Sequence, residues 1–143
     1  MSQLKASIII NRSPAEVFTG LTNFSQWPRW QGGLASVEQI SPGPLQVGSQ
    51  LRQVRSSGKP KESLIEVTRL VPNQLLGVKS PSQPLAWQGI FALESIDTST
   101  RFGLEFKIEA SGLTGLIGYL IIRLTLKQEL KTFKTLVETG EIT

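Results

Sequence analysis

The feature that most constrains this chain is its last apolar-periodic stretch, Leu113 to Val137. Tyr119, Ile122, Leu126, Leu130, Phe133 and Val137 follow one another at helical spacings, which predicts one long helix with a continuous core face. At about 100° per residue, Gly112, Gly115 and Gly118 fall near that same face, so the start of the helix has little side chain to fill the space beneath it. A pocket there is one reading, and a loop followed by a frayed helix start is the other. A second apolar line, Leu113, Ile117, Leu120 and Leu124, runs along the opposite side, where the later half carries Lys127, Lys131 and Glu138. The helix is apolar all round at first and amphipathic afterwards.

The remaining residues have to supply the surface on which this helix packs. Lys5 to Ile10 is rich in β-branched residues and reads as a strand ended by Asn11-Arg12. Ser13, Pro14 and Glu16 form a capping box that opens a helix of about two turns. Asn23 is placed to cap a second short helix, Phe24 to Trp27, which Pro28 limits. Trp27 and Trp30, three apart, share a face. After Gly32-Gly33, Leu34 to Ile40 reads as a strand before the turn Ser41-Pro42-Gly43-Pro44.

An antiparallel meander follows, with strands near Gln50 to Ser57, Glu62 to Val71, Leu75 to Lys79, Leu85 to Glu94 and Thr100 to Ala110. Turn-like separators lie at Ser57 to Pro60, Pro72-Asn73, Ser80 to Pro84 and Asp97 to Ser99. In the last strand Phe102, Leu104, Phe106 and Ile108 alternate with polar residues and glycine, so one face is dry. Trp87, Phe91 and Leu93 share parity with Gly89, which places an aromatic set on one face with a gap at the glycine. Between Gln50 and Val71 both parities mix apolar and charged residues, and the facing is ambiguous. Strand, two short helices, strands, then one long helix make an α+β layer architecture, its twisted sheet curling around the long helix.

A chain of 143 residues accommodates one domain with a substantial core. It contains neither histidine nor cysteine, which removes the usual zinc ligands, the Ser-His-Asp and Cys-His arrangements, and the commonest general base near neutral pH. We therefore expect no metal and no cofactor, and any catalysis has to run on Asp, Glu, Tyr, Lys or Arg. The N-terminal MSQLKASIII lacks the features of a signal peptide, so a cytoplasmic location is expected. Leu113 to Leu126 is shorter than the roughly 20 apolar residues that span a bilayer, and Arg123 interrupts it. The net charge is +4, but the basic residues are scattered, so nucleic acid is not the expected partner.

In order along the chain, INRSPAEVF at Ile10 to Phe18, W-x-x-W at Trp27 to Trp30, VGS at Val47 to Ser49, EVTRLVPNQLLG at Glu66 to Gly77 and the long C-terminal helix resemble the START-like (SRPBCC) superfamily. The similarity is specifically to its polyketide cyclase/dehydrase and lipid-transport family. The resemblance implies a helix-grip (START/Bet v 1-like) fold with an apolar cavity between curved sheet and long helix. It also implies binding of a hydrophobic small molecule such as a lipid, a quinone or a polyketide-like compound, or aromatic ring closure and dehydration. The absence of histidine and the single tyrosine depart from the catalytic branches.

The candidate ligand contacts are Trp27, Trp30, Trp87, Phe91, Leu104, Phe106, Gly115, Gly118, Tyr119 and Arg123; ordinary core packing is the competing reading for the apolar ones. Arg123 sits between the core face and the flank, where it either meets a ligand carboxylate or phosphate or reaches solvent. Of the carboxylates suited to acid-base work, Glu105 has the wet parity and Glu94 is a further option, while Glu66 shares parity with Leu64, Thr68 and Leu70 and either points inward or has a surface, ion-paired role. Glu66 and Arg123 are thus the catalytic candidates of a cyclase/dehydrase reading. Leu113, Ile117, Leu120 and Leu124 are a candidate contact with a membrane surface or a protein partner, including a second copy, so that the protein is either a monomer or a homodimer.

Overall fold

The computed structural model describes residues 2–57, 61–80, 85–110 and 112–142. Strand β1 (Ser2–Ile10) leads into helix α1 (Pro14–Thr22), a 3₁₀ helix (Phe24–Arg29), and strands β2 (Leu34–Gln39), β3 (Gln50–Arg55), β4 (Glu62–Val71), β5 (Leu75–Ser80), β6 (Leu85–Ile96) and β7 (Ser99–Ala110). Helix α2 (Gly112–Glu138) closes the chain. The strands form one antiparallel sheet in the order β1-β7-β6-β5-β4-β3-β2. Because β1 and β2 are opposite edges, α1 and the 3₁₀ helix carry the chain from one edge to the other. The curled sheet is a half-barrel, and the long helix lies across its concave side, the helix-grip arrangement that the resemblance implies.

Local chemistry accounts for the elements. The Ser13 hydroxyl accepts from the Glu16 N–H while the Glu16 carboxylate reaches back to the Ser13 N–H, so the capping box opens α1 as expected. Asn23, expected to cap the next helix, makes no capping hydrogen bond; that segment is a tighter 3₁₀ helix. The β4–β5 and β6–β7 hairpins turn on Asn73 and Asp97, both at positive φ, a conformation that these two side chains tolerate. The expected turns at 58–60 and 81–84 lie outside the described residues.

The ambiguous facing of the middle strands has a physical cause. The β4–β5 register shifts between Val67 and Arg69, so Thr68 is an extra residue, and the inward set passes from Ile65 and Val67 to Leu70. Gly77 pairs with Arg69 beside the bulge, where a Cβ would come within 2.8 Å of the Thr68 hydroxyl. With the bulge in place, Glu66 falls on the outer face between buried Ile65 and Val67 and pairs with Lys79 across the strands at 3.4 Å. Of the two positions open to Glu66 the structure shows the ion-paired one and not the inward one: its parity with Leu70 is broken by the extra residue, and its neighbour Leu64 is exposed.

The core is sealed at the end where α2 finishes. Phe133 and Leu130 of α2 belong to one buried cluster with Ile10, Phe102, Phe91, Trp27 and Trp30, all fully or nearly fully buried. Aromatic rings tie the layers together: Trp30–Phe133 at 4.7 Å, Trp27–Trp30 at 5.9 Å and Trp27–Phe91 at 5.9 Å between centroids.

Candidate functional site

The other end of the same concave face is less closely filled. On the inner faces of β1, β6 and β7, the side chains Leu4, Ala6, Ile8, Trp87 and Phe106 are only half-buried, although each shares strand parity with sealed residues such as Ile10, Phe91 and Phe102. Opposite them stands the first half of α2, where Gly115 is buried and Gly118, Tyr119 and Ile122 are half-buried. Trp87 and Phe106 pack edge-to-face on one another at 5.6 Å, and among the described residues no ring contact ties either of them to α2. Gly89 makes room for this wall: a Cβ there would lie 2.7 Å from a Phe106 ring carbon and 3.6 Å from the Trp87 ring.

The side of the concave face formed by β3, β4 and β5 adds polar groups to buried Leu51, Ile65, Val67, Leu76 and Val78. Gln53, Ser63 and Ser80 face inward and are almost completely buried, and Arg55 follows Leu51 and Gln53 on the same parity, half-buried. The Arg55 Nε and the Ser63 Oγ are shielded from solvent and have no hydrogen-bond partner among the described residues. Glu129, on the flank of the α2 core face, accepts from the Gly32 N–H at 2.9 Å. Burial pushes its carboxyl above the ordinary carboxylate range, against the opposing pull of that backbone N–H. Reading the sequence for site residues missed Gln53, Arg55, Ser63 and Glu129; the inward ladder of Leu51, Gln53 and Arg55 was its only trace.

The predicted site residues divide three ways. Trp87 and Phe106 pack on one another on the sheet, and Gly115, Gly118 and Tyr119 are buried or half-buried in the first half of α2. Trp27, Trp30, Phe91 and Leu104 are in the sealed core, and Trp27 spends its indole N–H on the Leu21 carbonyl at 2.8 Å. Arg123 is exposed, and Glu66 is on the outer face. A separate cleft of about 360 Å³ between α1 and the end of α2 has charged lining residues that already have partners: Arg12 pairs with Glu16 and donates to the Glu138 carbonyl, and the Glu138 carboxylate accepts from Lys134 and the Asn11 N–H.

The first half of α2 also has an outer surface. Leu113, Leu116, Ile117, Leu120, Ile121 and Leu124 are between 43% and 81% exposed, which leaves the predicted second apolar line uncovered. Among the described residues no helix is long and apolar enough to cross a membrane, and no cluster of acidic, histidine or cysteine side chains could hold a metal ion.

Comparison with known proteins fits this geometry. A family model described as polyketide cyclase / dehydrase and lipid transport matches residues 1–138. The chain belongs to that family. Among solved structures, TTHA0849 from Thermus thermophilus superposes with a TM-score of 0.75 at 16% identity, covering 97% of this chain and 99% of that one. Ara h 8.0201 gives 0.75 at 12% identity over 96% of this chain and 98% of its own. The di-domain ARO/CYC protein BexL gives 0.74 at 18% identity over 96% of this chain and 47% of that one, so this chain corresponds to about half of it. At these identities the likeness establishes the shared fold. No curated protein sequence matches the chain.

Proposed function

We propose that this member of the polyketide cyclase/dehydrase and lipid-transport family binds a small hydrophobic molecule between its sheet and the first half of α2, and holds it away from water. The observation that carries the reading is the half-buried state of Trp87 and Phe106 on the inner face, opposite a glycine-bearing stretch of helix. Burying about 100 Å² of ligand surface there contributes roughly 2.5 kcal/mol, and the few inward polar groups fix orientation. Solvent extraction of gently purified protein, followed by mass spectrometry, is expected to release a bound lipid, quinone or polyketide-like compound. Protein that retains nothing after exposure to such pools, and whose tryptophan emission they leave unmoved, would sink the proposal.

The cyclase/dehydrase alternative rested on an inward Glu66, and the ion pair of Glu66 with Lys79 on the outer face favours binding over that chemistry. Turnover of an aromatic polyketide-like substrate by the purified protein would reverse this order.

A second reading concerns where the ligand is exchanged. The exposed apolar face of α2 contains no acidic residue before Glu129 and is bordered by Arg123, Lys127 and Lys131, a charge pattern suited to an anionic lipid surface. Co-sedimentation with vesicles containing phosphatidylserine is expected, and Leu120→Ser with Leu124→Ser is expected to abolish it. Equal sedimentation of this variant, or a concentration-dependent dimer in place of vesicle binding, would count against membrane docking.

A further inference from the structure

Buried polar atoms without partners are uncommon in folded proteins, and each calls for a physical explanation. Two lie on adjacent strands of the concave face. Ser63 is 8% exposed, and among the described residues neither its hydroxyl nor the enclosed Nε of Arg55 has a partner. The β3–β4 register sets Gln53 opposite Ser63, and the Arg55 N–H donates to the Lys61 carbonyl at 2.8 Å. Arg55 and Ser63 are consequently diagonal neighbours on one face, a separation that a long side chain spans. Among the described residues no carboxylate lies within ion-pair reach of Arg55. Glu38, Glu66 and Glu94 are engaged with other cations, and the carboxylate of Glu129 is turned to the Gly32 N–H.

We propose that Arg55 and Ser63 form an acid-headgroup subsite, so that the natural ligand is an apolar molecule ending in a carboxylate. The inference rests on the cavity reading above and names its ligand class. The chemistry is complementary: an enclosed guanidinium N–H and a hydroxyl are two donors for the two oxygens of one carboxylate, and the planar fork of arginine matches that geometry. Lys61, opposite Arg55 across the strands, is exposed, so the enclosed donors are one guanidinium N–H and one hydroxyl, a pair that suits a singly charged head better than a phosphate dianion. The apolar remainder of such a ligand would extend across the sheet toward Trp87 and Phe106. The Arg123 role expected from the sequence thereby passes to Arg55, a residue of the sheet.

The test compares dodecanoic acid with dodecanol, two probes of equal chain length, by calorimetric titration of the whole protein at neutral pH. The acid is expected to bind at least about tenfold more tightly. Arg55→Met is expected to erase that preference while leaving dodecanol affinity unchanged, and Arg55→Lys, which keeps charge without the fork, to retain part of it. Ser63→Ala is expected to weaken the acid alone and to leave the melting temperature of the unliganded protein unlowered, because its hydroxyl has no partner to lose. Equal binding of acid and alcohol by the native chain, or an acid preference that survives Arg55→Met, overturns the headgroup subsite and leaves the cavity standing. Binding of neither probe overturns the cavity reading and this inference with it. Should Arg55→Met fail to fold, the acid-to-alcohol ratio of the native chain and the Ser63→Ala variant decide the matter.

Discussion

Phe133 of α2 and Phe102 of β7 rest on one another with ring centroids 4.8 Å apart and planes tilted by 34°. Both side chains are completely enclosed, which makes this contact the clamp that holds the later half of the helix on the sheet. Phe133→Ala is expected to cost about 3–5 kcal/mol of unfolding free energy in urea titrations, through lost burial and the cavity left behind. Leu124→Ser, at a residue 81% exposed, should change it by less than about 0.5 kcal/mol. Similar losses at both positions would mean that the early half of the helix is packed as tightly as the late half.

Gly89 lies under the Phe106 ring, and any side chain there must displace that ring. Gly89→Val is expected to destabilise the protein by about 1–3 kcal/mol and to weaken binding of an apolar probe by filling the wall beside Trp87. Tryptophan emission and probe affinity report the two effects separately. Unchanged affinity would place the ligand away from Trp87 and Phe106.

Burial raises the native pKa of Glu129 above its unfolded value, against the opposing Gly32 N–H. Between those two values the native state holds the proton that the unfolded chain has released. Stability accordingly falls as pH rises from the ordinary glutamate range through the native pKa, and levels off above it. Glu129→Gln, whose amide oxygen still accepts from Gly32, is expected to flatten this decline in melting temperature against pH. A variant that keeps the native slope would assign it to another group.

Glu138 works in the opposite sense. Burial alone would push its carboxyl up, but the bond from Lys134, the bond from the Asn11 N–H and the charges of Lys134 and Arg12 hold it below the usual value. Lys134 donates to Glu138 at 2.7 Å and to the Ile9 carbonyl at 2.6 Å, which fastens the end of α2 to the end of β1. The stabilisation is present above the unfolded pKa and is lost as pH falls through the native one. Glu138→Gln is expected to cost about 1–2 kcal/mol at neutral pH, with native and variant melting curves converging as the solution is acidified. A constant difference across that range would show that the carboxylate charge is not what matters.

Much of the architecture is legible in the sequence. The capping box at Ser13, the alternation from Phe102 to Ile108 and the long helix are local signals whose chemistry lies within a few residues, and each element formed near its predicted bounds. Glu66 illustrates where locality ends. Its facing depended on an extra residue, Thr68, that is visible only once β4 is paired with β5. Trp27 and Trp30 shared a face as their spacing required, yet whether that face met ligand or core depended on Phe91 and Phe133, which are distant in sequence.

The sequence by itself determined the element order, the antiparallel meander, the apolar-then-amphipathic character of the last helix and the absence of histidine and thiol chemistry, because periodicity, turn residues and composition act over short range. Only the tertiary structure shows which stretch of that helix seals the core and which is half-buried, and that Arg55 and Ser63 share an enclosed face without partners among the described residues. Burial and hydrogen-bond satisfaction are properties of what surrounds a group. A strand register or a bulge far along the chain can change both without altering any local pattern.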